Sequence, residues 1–171
     1  DEVPNSRLQH VQKLRVEEGG KIKYETTPEQ FAMYQKEGLT DGQRVVADGY
    51  GHSKGIAFSV DPSIPAGRRR SVFHHELGHN VYENLANNPR EQFEALWQRH
   101  RDSIGRSSKY MATHSSETFA EFHALLIMES SADRFPRRMY AYFRRIQAVR
   151  NEHPDLWSSF LKLIKGYDAG G

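Results

Sequence analysis

The sequence predicts an α+β fold with a small N-terminal sheet lobe and a helical C-terminal lobe. Three observations lead there. Short β-type runs broken by glycine occur only in the first third of the chain. Apolar residues at helical spacing dominate everything after Ser71. No apolar run approaches the ~18 residues of a membrane-spanning helix. At 171 residues the chain is long enough to bury a core without staples. It reads as a single domain, residues 1–171, with lobes of about 1–88 and 89–171.

In chain order, Leu8, Val11 and Leu14 suggest a short helix, and Ile22-Lys23-Tyr24 a short strand. Thr27-Pro28-Glu29-Gln30 is a helix start, with Thr as N-cap and Pro in the first turn. The helix runs with Phe31 and Tyr34 inward to Gly38. Arg44–Ala47 and Gly55–Val60 read as strands. Ser71 is expected to cap a helix running to about Leu85, with Leu77, Val81 and Leu85 as its buried stripe. Gly78 within it costs about 1 kcal/mol relative to alanine, which implies close approach of another backbone, such as a sheet packed over the helix. Asn88-Pro89-Arg90-Glu91 resembles a capping box opening a helix with Phe93, Leu96, Trp97 and Ile104. Gly105 to His114 reads as a polar loop. Three further helices are expected at about 116–129, 133–151 and from Pro154 to near Gly166.

Composition excludes several classes. There is no cysteine, so disulfides, thiol nucleophiles and cysteine metal ligands are out. The compartment stays open, because many secreted domains need no staples. A net charge of +2 is small. The clusters Arg68-Arg69-Arg70, Arg137-Arg138 and Arg144-Arg145 read as solvated faces, and no aromatic-basic motif accompanies them, so nucleic acid is not expected as a partner. The first residues carry no signal-peptide pattern, and a chain opening at Asp1 reads as a mature or excised piece.

The chemistry sits in His75-Glu76-Leu77-Gly78-His79. Histidines at i and i+4 share a helix face and can reach one metal ion, Zn²⁺ by chemical type. The intervening glutamate can act as base toward a water on that metal. A third ligand must come from His, Asp or Glu. Glu117 and Glu121 stand at i and i+4 on an otherwise apolar helix, where two buried carboxylates would repel without a cation. One of the two can bind the metal and the other can orient a ligand histidine. His114 and His123 are rival ligands.

The stretch His75 to His79, followed by Glu117-Thr118-Phe119-Ala120-Glu121-Phe122, resembles the metallopeptidase group of anthrax lethal factor and the bacterial Pro-Pro endopeptidases. The similarity spans about Gly49 to Lys165. It is specific at the motif helix and at Tyr110–Phe122, and loose elsewhere, including at Pro154-Asp155-Leu156-Trp157 and His52-Ser53-Lys54-Gly55. It implies a zincin-like fold and a gluzincin-like zinc endopeptidase. Glu117 would be the third zinc ligand and Glu121 a support for a ligand histidine. Tyr110, seven residues before Glu117, would be the oxyanion donor. The resemblance further implies a bacterial toxin or effector-type protease, secreted or delivered into a target cell. One departure stands out: Tyr82 occupies a position where family members often carry an acid, with Glu83 beside it.

The mechanism expected is hydrolysis of a peptide bond by a zinc-activated water, with Glu76 as base and Tyr110 as oxyanion donor. The substrate is a protein or peptide bound in extended form, with Gly55–Val60 as the strand it pairs with. The chain is expected to act as a monomer. The alternatives are a zinc-stabilised binding domain without catalysis, a deformylase-like hydrolase (which would use a cysteine ligand) and a metal-free helical adaptor.

Overall fold

A computed structural model describes side chains at residues 3–12, 28, 32, 55–56, 67–130 and 140–170, together with the backbone of the strands named below. Five α-helices carry most of it: α1 (Ala66–Glu83), α2 (Asn87–Ser107), α3 (Ser115–Ser130), α4 (Tyr140–Glu152) and α5 (Pro154–Asp168). A single 3₁₀ turn, Asn5–Leu8, precedes them. The backbone of the N-terminal part runs through β1 (Lys13–Glu17), β2 (Ile22–Glu25), β3 (Thr40–Asp41), β4 (Arg44–Ala47), β5 (Gly49–His52) and β6 (Gly55–Ser59). These pair in two separate groups, β1-β6-β5 and β2-β4-β3.

The expected α+β class with a sheet lobe is corrected by this arrangement. The described molecule is mainly helical. Among the residues with described side chains, the only strand positions are Gly55 and Ile56. The hydrophobic core, from Val81 through Phe93, Phe119 and Phe143 to Tyr167, is drawn from the helices and from Met111 in the α2–α3 loop. Among the described residues, helix packing therefore defines the architecture.

Helix α3 is the centre. Twelve of its residues are buried, on every face, which marks a helix enclosed by others. It crosses α1 at Gly78: a β-carbon there would lie 2.8 Å from Ala120 Cα and 2.9 Å from His123 Cβ. The close approach inferred from Gly78 exists, but its partner is a helix. The stripe Leu77, Val81 and Leu85 is buried. Phe119 meets Tyr82, Phe93 and Phe160 edge-on or tilted, at centroid distances of 5.2, 5.7 and 4.9 Å, geometries that aromatic quadrupoles favour.

Helix starts differ from expectation. Helix α1 begins at Ala66, directly after Pro65, so Ser71 lies inside it and donates its Oγ–H to Arg68 O at 3.1 Å. Helix α2 begins at Asn87 after Ala86, without a side-chain cap. Its last turns absorb Gly105, which leaves only 108–114 as loop. The short helix sought at Leu8–Leu14 is the 3₁₀ turn, and Leu14 belongs to β1. The helix expected between Thr27 and Gly38 falls almost wholly outside the described residues, as do 131–139 with Arg137-Arg138.

The 3₁₀ turn is anchored by charge. Arg7 is buried and binds both carboxylate oxygens of Asp168, from Nε at 3.1 Å to Oδ1 and from Nη2 at 3.0 Å to Oδ2. Its Nη1 points at His123 Nε2, 3.5 Å away, while His123 Nδ1 donates to His74 O at 2.7 Å. Both neighbours require neutral His123 with its proton on Nδ1. Burial, with Arg7, His74 and His75 adding to it, lowers its pKa to about 3. The unfolded chain therefore takes up a proton near pH 6.5 that the native chain refuses. Stability from this group is fully present above about pH 6.5 and is lost as pH falls toward 3, by about 1.4 kcal/mol per pH unit. Urea unfolding at pH 6 and pH 4.5 should show His123→Asn lacking this share of the wild-type slope. Equal slopes would remove His123 as the source.

Candidate metal centre

His75 and His79 lie one turn apart on α1, and the α1–α3 contact at Gly78 brings α3 against them. Three side chains from the two helices converge. The ligand-type atoms of His75, His79 and Glu117 all lie within 4.8 Å of one another. His79 Nε2 is 2.5 Å from Glu117 Oε1, and His75 Nε2 is 3.6 Å from Glu117 Oε2. Glu117 Oε2 is buried and has no hydrogen-bond partner. A buried carboxylate oxygen without a donor is costly unless a cation meets it.

The other expected residues surround this group. Glu121 Oε1 is 2.7 Å from His75 Nδ1, on the side of the ring away from the convergence point. Glu76 Oε1 is 3.5 Å from His75 Nε2, and Glu76 is 7% exposed. Tyr110 Oη is 3.5 Å from the same nitrogen. The loop carrying Tyr110 is held rigidly. Thr113 Oγ1 donates to Tyr110 O at 2.6 Å, and Met111 O accepts from Thr118 Oγ1 at 2.7 Å and Trp97 Nε1 at 3.2 Å.

The rival ligands are elsewhere. His114 accepts Ser116 N–H at Nδ1, 3.0 Å, at the start of α3, and His123 is engaged with His74 O. Tyr82 is buried, its hydroxyl 2.7 Å from Ser115 Oγ and 2.8 Å from Glu94 Oε1. The Tyr82 hydroxyl thus fastens α1 to α2 and to the first turn of α3, two residues from Glu117. Glu83 is exposed.

The electrostatics are those of four coupled groups withdrawn from water. Burial alone would lower the pKa of His75, but Glu121, Glu117 and Glu76 carry it well above its ordinary value. For His79 burial is likewise overcome, chiefly by Glu117. Burial opposes ionisation of Glu117, yet His79 and His75 hold it well below the usual carboxylate range. Glu76 is raised, first by burial and then by Glu117 and Glu121, against the pull of the histidines. A cation binding here must displace the histidine protons, so its affinity falls with acid.

Tyr142 was not recognised as a site residue. Its hydroxyl donates to Glu121 Oε1 at 2.5 Å, and the Arg68 guanidinium lies 5.5 Å from its ring centroid. Arg68, Tyr142, Glu121 and His75 thus form a chain of contacts from the start of α1 back to the His75–His79–Glu117 group. Arg68 serves this chain rather than a purely solvated face, whereas Arg144 and Arg145 are exposed. The available signal was faint: Tyr142 borders the stripe Phe143, Ile146 and Val149 on α4, where a polar-tipped aromatic invites a buried partner.

The proposed docking strand is corrected. β6 is paired on both sides, parallel to β1 and antiparallel to β5, so it offers no edge to an incoming peptide.

The described residues thus contain groups able to hold a metal ion. None of their helices is long and apolar enough to cross a membrane. No protein-family model matches the chain, and comparison with curated proteins and with solved structures returns no match.

Proposed function

We propose that this chain is a zinc-dependent endopeptidase of the lethal-factor kind, acting on extended protein or peptide segments as a secreted or delivered bacterial enzyme. The observation that carries the reading is the convergence of His75, His79 and Glu117 from two helices, with Glu76 and Tyr110 beside them. Two imidazole nitrogens and a carboxylate oxygen are a zinc donor set with a position left open. The unpartnered Oε2 of Glu117 fits that set. Zinc bound there would supply Lewis acidity toward the scissile carbonyl and lower the pKa of a water toward about 7.

The chain's own groups do the rest. Glu76 takes the proton from the attacking water and returns it to the leaving amine. Tyr110 donates its hydroxyl to the developing oxyanion. Glu121 Oε1 stands 2.7 Å from His75 Nδ1 as an ion-pair contact and accepts from Tyr142, a placement that favours His75 with Nε2 turned toward Glu117 and Tyr110.

The test is a peptide-library digestion with zinc-loaded protein. Cleavage should occur, stop with 1,10-phenanthroline and return with added zinc. Zinc binding without cleavage of any peptide would favour a metal-stabilised binding domain instead.

A further inference from the structure

A second cluster of metal-ligand side chains lies where α2 meets the α4–α5 corner. His100 comes from the middle of α2, His153 from the residue preceding α5, and Asp155 from the first turn of α5. The ligand-type atoms of these three residues also lie within 4.8 Å of one another. His100 Nε2 is 2.8 Å from Asp155 Oδ2, and the two imidazole centroids are 4.4 Å apart at 32°.

A hydrogen-bonded His–Asp pair beside a stacked ring would account for part of this, but not for His153. Its side chain is buried, the residue being 7% exposed, and its Nε2 has no hydrogen-bond partner. A second imidazole brought next to a His–Asp pair with a buried nitrogen unpaired is costly without a cation to share. Asp155 is oriented for such a role: its Oδ1 accepts the Leu156 N–H at 2.9 Å, which leaves Oδ2 facing His100. The protonation states suit a ligand set as well. Burial and then His100 hold His153 below its ordinary pKa, and the His100 contact holds Asp155 below its own. Metal ligation needs a neutral imidazole and an ionised carboxylate.

We propose that His100, His153 and Asp155 form a second divalent-metal site, of the class that takes Zn²⁺. It shares no ligand with the His75–His79–Glu117 centre. It clips the middle of α2 to the start of α5, two elements otherwise joined through the apolar core. Two nitrogens and one oxygen, on residues that range from buried His153 to exposed Asp155, with water completing the shell, suit zinc better than magnesium or calcium, which prefer oxygen alone. The role follows from position: a bound ion would fix the α4–α5 corner against α2 and stabilise the native chain by mass action.

The full chain, stripped with chelator and dialysed against excess zinc sulfate, should retain two zinc ions per molecule by elemental analysis. His100→Gln and Asp155→Asn should each retain one and lose part of the zinc-dependent rise in melting temperature. His79→Ala should also retain one, and should still show a zinc-dependent thermal shift. Far-ultraviolet circular dichroism on each variant separates loss of a site from loss of fold. If His100→Gln retains as much zinc as the wild type, the proposal is overturned, whether that number is one or two. A single zinc lost by His100→Gln but kept by His79→Ala would uphold this site and sink the first one.

Discussion

Gly78→Ala should be among the most damaging substitutions in this chain, although it is the change that local helix propensity favours. Within an isolated helix, alanine at position 78 would stabilise by about 1 kcal/mol. Here the added methyl would sit 2.8 Å from Ala120 Cα and 2.9 Å from His123 Cβ. The first of these is backbone and cannot rotate away. The second belongs to a side chain pinned by His74 O. Relief requires α1 and α3 to move apart along a crossing that is buried on both sides. Overpacking of this kind costs about 1–3 kcal/mol when side chains can yield, and more where backbone must shift. We expect a net loss of about 3 kcal/mol in urea unfolding. The same displacement carries Glu117 away from His79, so zinc affinity should drop at least tenfold even under conditions where the variant is folded. A variant as stable as the wild type, or more so, would show that α1 and α3 are not packed this closely.

That position also shows what the residue pattern could and could not reveal. A glycine inside an amphipathic helix signals that something comes close, and something does. The identity of the neighbour was not encoded there, because a sheet and a helix make the same steric demand. The sign that the neighbour was α3 lay in Ser115–Ser130 itself, whose many apolar and small residues are spread round the helix rather than confined to one stripe and therefore need partners on several sides. The strand-like runs before Ser71 are real as backbone, but extended conformation does not make a lobe. What decides class is where the core residues sit, and among the described residues nearly all of these sit on the helices.

The group able to hold a metal, His75, His79 and Glu117, was legible because i, i+4 spacing is a local geometric fact, both for the two histidines and for Glu117 with Glu121. Tyr110 was legible only through resemblance, since nothing local ties a loop tyrosine to a helix thirty-five residues earlier. Tyr142 was not legible. Its link to Glu121 is made by the α3–α4 packing, and no spacing rule predicts a contact across helices whose crossing is itself unknown.

If the proposed function holds, Glu76→Gln should remove nearly all peptidase activity while leaving zinc binding and the fold in place. The substitution is nearly isosteric in a position 7% exposed, so packing is conserved. It takes away a carboxylate whose ionised form burial already disfavours, so it does not uncover a new unpaired charge. The ligands His75, His79 and Glu117 are untouched, and zinc content should equal that of the wild type. What is lost is, among the described residues, the carboxylate beside the cluster that is not already committed to another side chain. Glu117 is committed to His79, and Glu121 to His75 and Tyr142. An amide cannot accept a proton at neutral pH, and general-base catalysis is worth about 10²–10⁴-fold. We expect kcat to fall by that factor with little change in KM, because peptide binding does not depend on a proton acceptor. If Glu76→Gln retains zinc and cleaves at an undiminished rate, proton transfer runs through another group and the assignment of Glu76 fails. If it loses both zinc and activity, Glu76 supports the metal centre and the base must be sought elsewhere.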